Sequence, residues 1–221
     1  MVRTLLALGL GLTLAGGAIN VAQGADHEYV GVKKCKSCHK KELIGNQLAK
    51  WQESKHSKAF EVLKSDDAVK IGKEKGLAGP PHEAPECLEC HTTAYGVDAA
   101  QLPKGKPLAA TDGVGCEACH GPGKDYRKKK TMADRDKSVA AGMWEADKDE
   151  KICLNCHNDK SPTWDAAKYK LADGSTAGFD FDQAKEEIAH AIPEDVKGKY
   201  IEVEKKMKAE KKGAGADEDE E

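Results

Sequence analysis

The sequence predicts a mostly α-helical protein: short helices and loops wrapped around a core that polypeptide alone does not supply, with little or no β structure. Three observations predict it. Apolar residues recur at helical spacing in several stretches, while strand-like alternation is scarce. The 221-residue chain is 39% hydrophobic and 5% aromatic against 33% charged, a lean composition for a side-chain interior. The pattern Cys-x-x-Cys-His occurs four times, at Cys35/Cys38/His39, Cys87/Cys90/His91, Cys116/Cys119/His120 and Cys153/Cys156/His157, and uses all eight cysteines.

Cys-x-x-Cys-His is the spacing that attaches a c-type haem. The two thiols form thioethers with the haem edges and the next imidazole reaches the iron. Eight cysteines in an exported chain could instead form four disulfides, and paired Cys-x-x-Cys motifs could hold zinc. Neither calls for a histidine directly after every second cysteine. The reading is therefore four covalently bound haem c groups, with His39, His91, His120 and His157 as proximal ligands and a four-haem core. The apoprotein is expected to fold poorly. The third motif lies in Gly113-Val114-Gly115-Cys116-Glu117-Ala118-Cys119-His120-Gly121-Pro122-Gly123. Its glycines let the backbone turn sharply and approach a flat macrocycle.

The net charge is −3, from 35 basic and 38 acidic residues. This is not the concentrated basic excess of a nucleic-acid-binding protein. The run Arg127-Lys128-Lys129-Lys130 reads as a solvated loop ahead of a partner-docking patch.

In chain order, residues 1–25 read as a secretory signal: Arg3, an apolar stretch from Leu5 to Ala18, then small residues for cleavage. The stretch is short for a membrane span, so no transmembrane segment is expected. Residues 26–212 form the tetrahaem domain. From Lys40 to Leu63 the pattern is helical, with stripes at Leu43, Ile44, Leu48, Trp51 and at His56, Ala59, Phe60, Leu63. Pro80 to Pro85 is a rigid connection into the second motif. Thr92 to Gly96 is a turn, and Leu102 to Thr111 is loop-like. A weak helix is expected from Asp134 to Asp149, containing Met143 and Trp144. Phe181 to Ile192 reads as a helix stopped at Pro193, with His190 near its end and buried by Ile188, Ala191 and Ile192. A last helix from Glu194 to Lys211 carries the stripe Val196, Tyr200, Val203, Met207. Residues 213–221 read as a disordered acidic tail.

Of eight histidines, four lie in the motifs; His27, His56, His82 and His190 remain. Four haems with two histidines each would use this number. His56, on an apolar face, and His190 read as distal ligands. His82, held by three prolines, is either a ligand or surface. His27 is surface, or ligates a haem of its own chain, or ligates one in a neighbouring subunit; the last would build rings or open filaments. Met132 and Met143 are possible sixth ligands that would raise a potential, though methionine is more often a packing residue. Iron with two histidines has no open position and suits outer-sphere electron transfer.

The chain resembles the tetrahaem cytochrome c-554 family. The resemblance rests on Val30-Gly31 before the first motif, Trp51 with His56 and Ala59-Phe60, the Gly113–Gly123 segment, Ser161-Pro162-x-Trp164 after the fourth motif, and a late helix bearing His190. It implies a mostly α-helical periplasmic electron carrier with closely packed haem pairs. In it His56 and His190 are distal ligands to haems other than those attached nearest to them. It also implies a departure. The family has a further distal histidine soon after Gly-Pro-Gly, where this chain has Lys128-Lys129-Lys130, so the fourth haem lacks its usual in-chain ligand unless His27 or His82 replaces it. The family's second haem is five-coordinate, which would leave His91 without a partner.

The functional expectation is an exported tetrahaem cytochrome, periplasmic or extracellular, passing electrons between redox-partner proteins. It would act as a soluble shuttle, or as a filament subunit with His27 ligating the neighbouring copy. The alternative is a haem enzyme reducing a small nitrogen oxide at a five-coordinate haem. The Cys-x-x-Cys-Lys signal of multihaem nitrite reductases is absent.

Overall fold

The computed structural model describes residues 27–214, with side chains to Glu210. Residues 1–25, expected to be a secretory signal, lie outside the described residues, as does the expected tail 213–221 apart from Gly213 and Ala214, which close the last helix. The described chain is a succession of short helices joined by turns, with one two-stranded sheet. This is the mostly α architecture expected. Its side-chain core is thin: Tyr29, Ile44, Leu48, Phe60, Leu63 and Val196 are among its few buried apolar residues.

The first motif occupies α1 (Val32–His39). The helical stretch expected from Lys40 to Leu63 is built in pieces: a 3₁₀ turn at Glu42–Ile44, α2 (Gln47–Glu53), a second 3₁₀ turn at His56–Lys58 and α3 (Ala59–Val62). The first break lies at Gly45 (φ 93°) and Asn46 (φ 44°), both left-handed. Asn46 then caps α2, its side chain accepting from Ala49 N at 3.3 Å. The second break lies at Ser54, which is extended. The two apolar stripes are real but belong to two helices.

α4 (Asp66–Glu74) starts at a Ser65 cap. α5 (Pro85–His91) carries the second motif, with Pro85 in the first turn where its missing N–H costs nothing. α6 (Cys116–His120) carries the third. α7 (Lys129–Met132) and α8 (Arg135–Ala140) follow. The helix expected over Asp134–Asp149 ends at Ala140 because Gly142 turns left-handed (φ 96°), leaving Met143 and Trp144 beyond it. α9 (Glu150–Leu154) holds the fourth motif's first cysteine, and His157 lies in the turn after it.

β1 (Tyr169–Lys170) and β2 (Thr176–Ala177) form an antiparallel hairpin. α10 (Phe181–Glu187) stops earlier than expected; His190 lies past its end and is exposed to solvent, as are Ile188 and Ile192. These three follow the helix and do not lie on its inner face, which is why they are not buried. α11 (Tyr200–Ala214) starts later than expected, so Val196 is buried (2% exposed) from the turn before it, and Met207 is exposed.

Candidate haem-binding site

On a helix, residues i, i+3 and i+4 share one face. In α1, α5 and α6 Cys-x-x-Cys-His therefore points two sulfurs and an imidazole the same way, as a planar group attached at two edge positions requires, while Cys156 and His157 of the fourth motif lie past the end of α9. All eight cysteines are free thiols of intermediate exposure. The Cys35 thiol lies against Cys116, and this contact with burial pushes Cys35 up. Burial and the nearby Cys90 thiol push Cys156 up to about 12. Burial, and the charge Cys153 would carry, push Cys119 up to about 11. The motifs thus neighbour one another in the spatial order first, third, fourth, second.

Among the described residues, Cys38 and Cys87 show no contact with another motif. Cys38 sits near the end of α1, where its Sγ accepts from the exposed Ser37 Oγ at 3.9 Å. The cause is the helix itself. Cys35 and Cys38 are one turn apart, about 5–6 Å between Cβ atoms, so the contact that seats Cys35 on Cys116 leaves Cys38 beyond its reach. Cys87 stands likewise one turn before Cys90, which meets Cys156. A thiol needs no contact with another motif to form a thioether, so this placement does not bear on the expectation that Cys38 and Cys87 attach haem.

Two of the motif histidines, His39 and His91, are held as metal-ligating histidines usually are, with Nδ1 engaged so that Nε2 is left to coordinate. His39 Nδ1 pairs with Gln47 Oε1 at 3.2 Å, and the Gln47 amide in turn donates to the Ile44 carbonyl. His91 Nδ1 donates to the Ala59 carbonyl at 2.6 Å. Burial lowers His39, His56 and His157, and lowers His120 to about 4. Burial therefore favours the neutral imidazole, the ligand form, in all four.

Two imidazole pairs form. His56 meets His157 with ring centroids 5.9 Å apart and planes at 79°. His120 meets His190 at 5.9 Å and 90°. T-shaped ring contacts of this length occur without a metal. Here, however, each pair joins one motif histidine to one non-motif histidine from a distant segment. Two imidazoles each about 2 Å from a shared metal ion have centroids about 6 Å apart. The free paired thiols, the engaged Nδ1 atoms and these two spacings fit four c-type haems.

Glycines bring the distant histidines in. At Gly45, an added Cβ would lie 2.6 Å from the Ala191 carbonyl, so the bare backbone there admits the segment bearing His190. His190 Nδ1 pairs with the Ile188 carbonyl at 2.8 Å. At Gly113 (φ 58°), a Cβ would lie 2.7 Å from the His56 carbonyl. That carbonyl accepts from Val114 N at 3.0 Å, and Trp51 Nε1 donates to the Val114 carbonyl at 2.9 Å.

The fourth motif was expected to lack an in-chain histidine unless His27 or His82 supplied one; here the His157 ring lies against His56. The Lys128–Lys130 stretch serves another purpose: Lys129, with Lys41, pairs with the buried Glu204 carboxylate of α11. His82 and His27 are not brought into an imidazole pair among the described residues. His82 has a buried Nδ1 without a hydrogen-bond partner, and its Nε2 is 3.7 Å from Glu83. His27 is tied into its own chain, Nδ1 pairing with Asp125 Oδ2 at 2.8 Å and its ring lying over Gly142. Met132 packs, its sulfur accepting from Ser138 Oγ at 3.8 Å.

Sequence reasoning missed Glu117. It is named above in the third-motif segment without a role, yet it is 2% exposed. Its carboxylate accepts from Val30 N (2.9 Å), Gly31 N (2.7 Å) and Gly123 N (2.6 Å). It fastens the strand that enters the first motif onto the loop that leaves the third. The repeated glycines on both sides of the contact were the available signal. Phe179 was missed as well; its ring stacks on His157 at 5.3 Å and 24°.

Residues 34–121 match the family described as cytochrome c554 and c-prime. Cytochrome c-554 of Nitrosomonas europaea is 32% identical over 158 residues, 65% of this chain and 64% of that protein. The multihaem cytochrome MtrA of Shewanella baltica is 31% identical over 107 residues, 44% of this chain and 30% of that protein. The chain therefore spans less than two thirds of the length of these curated relatives. The solved structure of reduced cytochrome c554 from Nitrosomonas europaea overlaps 74% of this chain and 79% of its own, with a TM-score of 0.46 and 25% identity. The match over residues 34–121 and the 32% identity join the four-motif count in one conclusion: the chain is similar to the cytochrome c-554 family and carries four covalently bound haem c groups.

Proposed function

We propose that this protein carries electrons between redox partners as an exported, soluble shuttle. The observation that carries the reading is the pair of imidazole contacts at 5.9 Å, His56 with His157 and His120 with His190. In this reading Cys35/Cys38, Cys87/Cys90, Cys116/Cys119 and Cys153/Cys156 attach the four haems, and His39, His91, His120 and His157 are the proximal ligands. His56 completes the fourth site and His190 the third. A haem with two imidazole ligands supplies one-electron transfer without an open coordination position. The order of the neighbouring cysteines supports a conducting row of first, third, fourth and second haem. His82 and His27 are the in-chain candidates for the two remaining sites.

The shuttle form is supported by His27, whose Nδ1 is engaged by Asp125 of its own chain. Residues 1–25 serve as the export signal in this reading. Among the described residues no helix is long and apolar enough to cross a membrane. Periplasmic or extracellular placement agrees with c-type haem attachment. The test is sedimentation and electron microscopy of native protein and of His27→Ala. A small, unchanged particle is expected; filaments that His27→Ala abolishes would overturn the shuttle form.

A second reading, reduction of a small nitrogen oxide at an open iron, is favoured by one observation. His39 and His91 have Nδ1 engaged but form no imidazole pair among the described residues. Carbon monoxide difference spectra of the reduced protein separate the two. No binding is expected of the carrier, while stoichiometric binding to one haem with turnover of nitric oxide would replace that reading with the reductase.

A further inference from the structure

The small hairpin is the one β element among the described residues, and it follows the fourth motif in the chain. Tyr169, on β1, is buried at 6% exposure. Its ring stands edge-on to Phe179, just past β2, at 6.1 Å and 78°. Phe179 in turn lies nearly flat on His157, centroids 5.3 Å apart and planes 24° apart. Gly178 leaves room for this arrangement: a Cβ there would fall inside the Trp164 indole. Among the described residues the His157 ring makes no hydrogen bond of the kind that fixes His39 and His91, so it is held by packing. The His56 ring approaches it at 79°. By contrast, no aromatic ring is stacked on His120 or His190 among the described residues.

We propose that the hairpin is an aromatic brace, with Phe179 as a positioning residue that sets the rotation of the His157 imidazole and holds it near-perpendicular to His56. The inference rests on the reading that these two histidines share the fourth iron. Rotation about the metal–nitrogen bond is soft, so a ligand ring takes the angle its surroundings impose. A stacked ring beside it adds attraction beyond area burial, enough to select one angle. Perpendicular imidazole planes leave the two iron dπ orbitals nearly equal in energy. A low-spin ferric centre then shows a strongly anisotropic signal with one large g value. Planes rotated toward parallel split these orbitals and give a rhombic, three-line signal.

The test is electron paramagnetic resonance of the oxidised holoprotein, with haem content measured on each sample. Phe179→Tyr keeps the stacked ring and is expected to leave the large-g signals as in the parent. Phe179→Leu keeps apolar volume without a flat face. It is expected to shift one of these signals toward rhombic and leave the other in place. His56→Ala identifies the signal concerned by removing it. If Phe179→Leu, with four haems, leaves that signal at the parent position, the brace is overturned. If His56→Ala removes no large-g signal, the ligand reading fails and the brace with it. Should Phe179→Leu lower the haem content, Tyr169→Leu removes the second ring of the brace; a smaller shift of the same signal is expected, and an unmoved signal overturns the proposal.

Discussion

Replacing Glu117 tests whether the third-motif loop is fastened as its geometry implies. The carboxylate is the acceptor for three backbone N–H groups, those of Val30, Gly31 and Gly123. Burial pushes its carboxyl up, while these donors and Arg127 pull it back. In Glu117→Ala all three donors lose their partner. An unpaired buried donor costs about 1–3 kcal/mol. The Gly123 N–H is fully buried and bears the whole penalty, whereas Val30 and Gly31 are partly buried and recover some hydration as their strand lifts. The sum is about 3–5 kcal/mol. For a domain of this size each kcal/mol lowers Tm by about 2–4 °C, so a fall of roughly 6–20 °C is expected. Glu117→Gln keeps one acceptor oxygen but turns its NH₂ toward the donors, and should lose about half as much. The assay is a thermal melt of the oxidised holoprotein followed by circular dichroism; covalent haems do not dissociate and leave the comparison clean. Amide exchange at residues 28–31 should accelerate in parallel. A Glu117→Ala melt within about 2 °C of the parent, or a Gln variant weaker than the Ala variant, would refute the reasoning.

Gly113→Ala places a Cβ 2.7 Å from the His56 carbonyl at φ 58°. A strain of about 1–3 kcal/mol is expected, seen as a lower Tm together with an altered low-spin signal from the His56 site; a changed Tm with an unchanged spectrum would separate the loop from the ligand. Trp51→Phe keeps the ring but removes the 2.9 Å bond to the Val114 carbonyl, and should cost about 1 kcal/mol in a denaturant melt at constant m-value. Glu204 is held at about 2 by Lys129 and Lys41. Its folded value lies below the ordinary 4.5, so the anchoring of α11 is complete above that value and is lost as pH falls toward 2. Amide exchange over 200–210 should therefore stay protected at pH 5 and rise below pH 4 (roughly the onset of carboxyl protonation), and Glu204→Gln should show the unprotected pattern at every pH.

The parts of this protein that could be read in its sequence are local, and those that could not are contacts between distant segments. Each haem motif is five contiguous residues whose spacing carries its own chemistry, so all four were legible. Which thiol of a motif meets the next motif was not: Cys35 and Cys38 are equivalent in the pattern, and only the packing of α1 on α6 separates the inner one from the outer. The apolar stripes at Leu43–Trp51 and His56–Leu63 were legible too, but their division was not, because it depends on Gly45 bending to admit the Ala191 carbonyl. Gly142 is similar: it ends α8 with its backbone turned left-handed beneath the His27 ring. His56 and His190 could be counted as spare ligands but not assigned, since His157 and His120 lie in other segments. Glu117 could be quoted in its segment but given no role, because its partners Val30 and Gly31 lie 86–87 residues away in the chain. Hydrophobic periodicity reports polypeptide packed on polypeptide. Side chains that orient a ligand follow no period, and Phe179, which stacks on His157, stands outside any helix. What identifies such a residue is the ring it touches, which makes the His157 site the place where a single aromatic substitution should be felt spectroscopically before it is felt in stability.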